Sequence, residues 1–119
     1  MHHVIVGSGP AGVTAAETIR SICKNSKITL IGGEGEPPYS RMAIPYLLHG
    51  DIQEKGTYLR QTAGHYDSLG IDYKQARIAG IDATKKQLWT SNIEPIAYDK
   101  LLLATGATPI IPRMEGADL

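Results

Sequence analysis

Near the start of the chain, Gly7-Ser8-Gly9-Pro10-Ala11-Gly12 forms the pattern G-x-G-x-x-G. Residues this small serve phosphate chemistry for three separate reasons. One glycine makes a tight turn, one lets a pyrophosphate approach the backbone, and the third lets a helix pack closely on a strand. A helix beginning at such a loop adds unpaired N–H groups and a partial positive charge, both suited to phosphate oxygens. Glycine-rich turns are common, so the dinucleotide reading requires a strand before the loop and a helix after it. A second candidate, Glu34, lies 22 residues beyond Gly12. An acidic group at about that interval accepts hydrogen bonds from ribose hydroxyls. Glu36 is its near rival, and no cation follows Glu34 immediately, as a 2′-phosphate site would want.

The elements needed to position these residues are legible around them. His2 to Val6 reads as a short strand that ends at the glycine loop. Ala11 to about Cys23 reads as a helix, with Val13, Ala16, Ile19, Ile22 and Cys23 at helical spacing. Lys27 to Ile31 is β-branched and apolar, a buried strand closed by Gly32-Gly33. Strand, glycine turn, helix and strand in this order are a βαβ unit with a parallel sheet. Prolines 37, 38 and 45 then hold an extended stretch, with a short helix expected from Pro45. Thr62 to Leu69 is expected as a helix capped by Thr62 and closed by Gly70. Ile71 to Ile81, Gln87 to Thr90 and Pro95 to Ala104 read as a strand, an antiparallel excursion and a return to the parallel sheet. Asp82-Ala83-Thr84 and Ser91-Asn92 are the turns between them. The expected fold class is α/β, a Rossmann-like parallel sheet with an antiparallel β-meander as a side layer.

Bulk properties narrow the function further. The 119 residues suit one domain, and 42% apolar with 20% charged residues is ordinary for a globular chain. Twelve basic side chains balance twelve acidic ones, so no net field favours nucleic acid or an anionic membrane. The longest apolar runs, such as Leu101 to Ala104, are too short to span a bilayer. No secretory leader is expected, and a single cysteine, Cys23, fits a reducing cytoplasm. His2, His3, His49 and His65 lack partners at metal spacing, so no metal site is expected.

The first motif alone leaves NAD and FAD equally open. The discriminating stretch is Tyr98-Asp99-Lys100-Leu101-Leu102-Leu103-Ala104-Thr105-Gly106-Ala107-Thr108-Pro109, an apolar strand followed by Ala-Thr-Gly-x-x-Pro. It resembles the second motif of the pyridine nucleotide-disulfide oxidoreductase superfamily, flavoproteins that bind two dinucleotides. The resemblance covers essentially the whole chain and implies that residues 1–119 are the first piece of a discontinuous FAD-binding domain. The NAD(P)-binding and C-terminal domains would lie outside this chain, and NAD(P)H would be the electron donor of the full-length protein. It also implies FAD contacts. The loop of Gly7, Gly9, Pro10, Ala11 and Gly12 would hold the pyrophosphate, and Glu34 the adenosine ribose. Arg41 matches a basic position near the phosphates or ribitol. Backbone at Arg77 and Ile78 would face adenine, and Thr105 with Gly106 would approach from the second motif.

Departures from the family pattern suggest the branch. Where coenzyme A-disulfide reductases and NADH oxidases carry a redox cysteine, this chain has Ser40-Arg41-Met42-Ala43-Ile44-Pro45-Tyr46. Met42 stands at the nucleophile position, and a thioether forms neither thiolate nor disulfide. The paired cysteines of the glutathione-reductase type are absent, as is a lysine usual near Tyr46 in oxygenase-coupled ferredoxin reductases. The run is most similar to the flavin subunits of nitrite reductases and to rubredoxin reductases. An electron-carrier protein is then a candidate acceptor. Cys23, on the helix's apolar stripe, is expected to act as a small buried hydrophobe. No catalytic side chain is expected, because hydride transfer to flavin requires no general acid or base. Two rival readings stand: a non-catalytic nucleotide-binding module, and a dehydrogenase that uses this one loop for NAD. A cut-short flavin pocket implies that the isolated chain binds little FAD and self-associates.

Overall fold

A computed structural model describes residues 1–91 and 94–117. Strand β1 (His2–Val6) leads into helix α1 (Pro10–Ile22) and strand β2 (Lys27–Gly32). A 3₁₀ turn (Arg41–Ala43), helix α2 (Ile44–His49), a second 3₁₀ turn (Glu54–Thr57) and helix α3 (His65–Ser68) follow. Strands β3 (Ile71–Gln75), β4 (Ile78–Asp82), β5 (Gln87–Thr90), β6 (Ile96–Ala97) and β7 (Lys100–Leu103) complete the chain. The parallel sheet has the order β3-β2-β1-β7, and β4-β5-β6 form a separate antiparallel sheet.

Three layers result, and the sequence of β1 shows why. Ile5 faces α1, in a core with Val13, Ala16, Ile28, Leu30 and Ile71. Val4 and Val6 face the other way, in a core with Ile31, Ala76 and Leu88, under the meander. A strand covered on both faces is apolar at consecutive rather than alternate positions. Pro10 opens α1, where its missing N–H is no loss. Arg20 holds the other end: its guanidinium donates to the carbonyls of Lys24 at 2.6 Å, Leu69 at 2.7 Å and Gly70 at 3.0 Å. It thus ties the helix C-terminus, where a cation is favoured, to the turn that enters β3.

Several expectations are corrected. The helix expected over Thr62 to Leu69 is a single turn, His65–Ser68, because Gly64 adopts φ +69° directly before it. A left-handed residue there breaks the helical path from Thr62, which contributes a carbonyl to the His65 N–H (3.3 Å) and no side-chain cap. Gly70 (φ +64°) does close the turn. The run Ile71 to Ile81 is two strands in two sheets, parting at Ala76-Arg77, where the Ala76 N–H donates to Gly32 O (2.8 Å). The run Pro95 to Ala104 likewise parts at Tyr98-Asp99. The return to the parallel sheet stands, since β7 lies beside β1. Of the α1 stripe, Ile22 is exposed and Cys23 is the half-exposed C-cap rather than a core residue. The turn residue Asn92 lies outside the described residues.

Candidate functional site: the C-terminal rim of the parallel sheet

Each parallel strand delivers one piece of the candidate site at its C-terminal end. Gly7 follows β1, Glu34 follows β2, Arg77 follows β3, and Thr105 follows β7. The chain leaves β1 toward β2 on one side, while β7 returns on the other. In open α/β sheets a crevice forms at such a reversal, outside the carboxyl ends of the strands.

The three motif glycines have different reasons to be glycine. Gly7 adopts φ +113°, its N–H donates to Ile31 O (2.8 Å), and an added Cβ would run into the carbonyl of Ala104. The first motif therefore abuts the second directly. Gly12 is buried at the first turn of α1, where a Cβ would run into the Gly7 carbonyl and stand 3.4 Å from Ile5 Cγ2. Gly9 differs. Its backbone (φ −76°, ψ −174°) is open to any residue, and a Cβ there would meet nothing within 4 Å. Among the described residues, neither conformation nor packing requires a glycine at position 9.

The helix that begins there is equally unoccupied by its own groups. The first intrahelical bond runs from Val13 N–H to Gly9 O (3.0 Å), and no side chain caps α1. Its first turn carries no acidic residue. The preceding amides of Ala11 and Gly12 thus have no intrahelical acceptor, and the partial positive charge of the terminus is uncompensated. At the end of β2, Gly32 leaves room for two side chains. A Cβ there would lie 2.5 Å from both Ser8 Oγ and Tyr73 Oη.

Glu34 stands just beyond this turn and carries two partners. Arg41 Nη2 donates to its Oε1 (2.6 Å), and the Tyr39 hydroxyl donates to its Oε2 (2.6 Å). The Tyr39 hydrogen bond and then the Arg41 guanidinium hold the Glu34 carboxyl below its usual range, and the charge of Arg77 adds to this. The same bond pushes the Tyr39 phenol up. The cation not seen immediately after Glu34 in the sequence therefore arrives seven residues later, folded back through the Pro37-Pro38 turn. Of the two acidic rivals, Glu34 is the one so engaged, whereas Glu36 offers its backbone carbonyl to Tyr73 at 3.5 Å. Arg77 packs along the same turn, its Cγ 3.5 Å from where a Gly33 Cβ would be. Ile78 opens β4, pairs with Thr90 of β5 and packs its side chain into the core under the meander.

Thr105 and Gly106 are exposed, and Gly106 has φ +70°. The Thr105 amide nitrogen lies 3.1 Å from where a Gly7 Cβ would sit. Met42 is 85% exposed. Cys23 caps the far end of α1, about 20 Å from the glycine loop at 1.5 Å rise per residue over 13 residues. Tyr39, which holds Glu34, and Arg20, which holds the end of α1, are not among the residues that motif spacing singles out. A hydroxyl and a cation at five and seven residues past Glu34 were the available signal for the first.

A glycine loop at a helix N-terminus, an acidic residue past the second strand and a rim at a strand-order reversal define a dinucleotide-binding α/β protein of the Rossmann kind. Within that class the chain belongs to the pyridine nucleotide-disulphide oxidoreductase family, whose model matches residues 1–119. The NADH oxidase of Methanocaldococcus jannaschii is 35% identical across the whole of this chain, which spans 28% of that protein. The NAD(P)H nitrite reductase of Bacillus subtilis is 34% identical over 97% of this chain and 14% of its own length. A ferredoxin reductase from Rhodopseudomonas palustris superposes with a TM-score of 0.88 at 28% identity, covering 99% of this chain and 29% of that one. The chain thus spans less than a third of each. Among the described residues, no helix is long and apolar enough to cross a membrane.

Proposed function

We propose that this chain is the first piece of a discontinuous FAD-binding domain in a flavoprotein that passes electrons from NAD(P)H to an acceptor. The observation that carries the reading is the open space at Gly9 beside two glycines whose space the protein fills itself. The amides of Ala11 and Gly12 would bind the pyrophosphate, with Pro10 setting the helix start. Glu34 would accept from the adenosine ribose, and Arg41 would balance charge between that carboxylate and the phosphates. Backbone at Arg77 and Ile78 would line the adenine, with Thr105 and Gly106 approaching from β7. The bound flavin would supply the hydride chemistry, while the chain binds and orients it. The branch without a redox cysteine is supported by Met42 at the cysteine position and by Cys23 lying at the wrong end of α1. An electron-carrier protein as acceptor is supported by relatives that include a rubredoxin-NAD(+) reductase from Pseudomonas putida, 32% identical.

The test is an NMR titration with ADP, which needs only contacts that this chain offers. The amides of Ala11 and Gly12 and the side chain of Glu34 should move together and saturate together. Shifts confined to other surfaces would overturn the reading. In the intact flavoprotein, NADH or NADPH should bleach the flavin absorbance.

A further inference from the structure

Glu34 sits in a loop whose backbone does little to aim it. Glycines flank it on both sides, at 33 and 35, and no helix or strand includes it. A carboxylate on so permissive a backbone has many orientations, and only its partners select one. Those partners are unequal. Arg41 is 63% exposed and reaches Glu34 through one nitrogen, so solvent or phosphate oxygens readily replace that contact. Tyr39 is half-buried, and its backbone is fixed from both sides. Leu59 N–H donates to Pro38 O (3.0 Å), Ser40 N–H donates to Thr57 O (2.9 Å), and residues 39 and 58 form an antiparallel bridge. None of these bonds uses the phenol.

We propose that Tyr39 is a positioning residue for ribose recognition. Its hydroxyl pins Glu34 Oε2, so that Oε1, held only by the exchangeable Arg41, is the oxygen offered to a ribose 2′-hydroxyl. The inference rests on the nucleotide site proposed above and adds to it a residue that touches no ligand. It also gives Arg41 a second role, as the group that ribose displaces from Oε1.

The test compares ADP with 2′-deoxy-ADP by titration of the 119-residue chain and of Tyr39→Phe and Arg41→Gln. Phenylalanine keeps the ring and all three backbone ties. Tyr39→Phe should weaken ADP about fivefold, the scale of one ordinary hydrogen bond, and 2′-deoxy-ADP by less than about twofold. The preference for the ribose hydroxyl therefore shrinks. Arg41→Gln should retain that preference, because it removes the competitor and leaves the pin. Equal weakening of both nucleotides by Tyr39→Phe would mean that the tyrosine only supports the loop, and would overturn the proposal. So would an unchanged ADP affinity. If the unaltered chain binds no ADP, the nucleotide site fails together with this inference; if it binds ADP and Tyr39→Phe changes nothing, only this inference fails.

Discussion

Replacing Gly9 and Gly12 by alanine, one at a time, separates what the glycine loop does for the fold from what it does for a ligand. At Gly9 the backbone suits any residue and the added methyl meets nothing within 4 Å. Alanine lowers the entropy of the unfolded chain, worth about 0.4–1 kcal/mol, and loses glycine's modest advantage at a helix N-cap, a similar amount. The two offset, so stability should stay within about 0.5 kcal/mol of the parent. At Gly12 the methyl would run into the Gly7 carbonyl and lie 3.0 Å from its carbon. That carbonyl cannot give way easily, since Gly7 is tied to Ile31 O at 2.8 Å and packed against Ala104. The helix must lift instead, at a cost of about 1–3 kcal/mol for overpacking. With a urea dependence near 2 kcal/mol per molar, Gly12→Ala should lower the unfolding midpoint by about 0.5–1.5 M. Binding should show the reverse order. Gly9→Ala should weaken ADP by about tenfold or more, because the methyl fills the space a pyrophosphate would use. Urea melts followed by ADP titration of each folded variant check both arms. Unchanged ADP affinity in Gly9→Ala would refute the phosphate placement, and an undiminished midpoint in Gly12→Ala would refute the packing argument.

Two further outcomes follow from parts of the molecule away from the loop. Glu17 on α1 receives a two-pronged bond from Arg60 (2.7 Å to each oxygen) and faces His65 Nε2 at 2.8 Å, so Glu17→Gln should destabilise the chain by about 1 kcal/mol. The Arg60 hydrogen bonds hold this carboxyl below its ordinary 4.5, so its contribution is present above that pH and is lost as pH falls through the depressed folded value. Urea midpoints of parent and variant should therefore converge in acid, and a gap that persists there would refute the assignment. At the sheet's edge, Leu102 and Leu103 of β7 are 41% and 57% exposed, so the isolated chain should self-associate, and Leu103→Lys should reduce this in light scattering. A monomeric parent with tight, stoichiometric FAD would show that the pocket needs no further piece of chain.

What was legible in the sequence was local or carried by a motif. The β1-loop-α1-β2 unit reads correctly because each element's period, start and stop lie within its own residues. The breaks at Ala76-Arg77 and Tyr98-Asp99 do not announce themselves, since neither contains a glycine or proline to mark a turn. There the chain changes sheet because the second core needs Ala76 and Leu88 beneath the meander, a demand set by tertiary packing. Gly64 was visible, but the left-handed conformation that shortens the following helix was not. At the candidate site, spacing alone singles out the glycines and Glu34. It does not single out Tyr39, because the role of that residue depends on the 57–59 segment crossing beside it.

The two motifs, about a hundred residues apart in sequence, are held in one register by β1 and β7. His3 pairs with Lys100 and Val6 with Leu103, so Gly7 falls opposite Ala104. The start of the ladder is locked from both directions. Asp99 N–H donates to His2 O (2.9 Å), and His2 N–H donates to Asp99 Oδ2 (2.6 Å). A slip of one residue would turn Leu101 away from the core with Val4 and Val6 and bring its neighbours to the wrong faces. It would also carry Thr105 away from its place beside the glycine turn. The close fit of Gly7 against the Ala104 carbonyl makes the arrangement selective at its other end, because any side chain at position 7 would force the strands apart. The first glycine of the loop thus shapes the turn after β1 and also fixes where the second motif meets it.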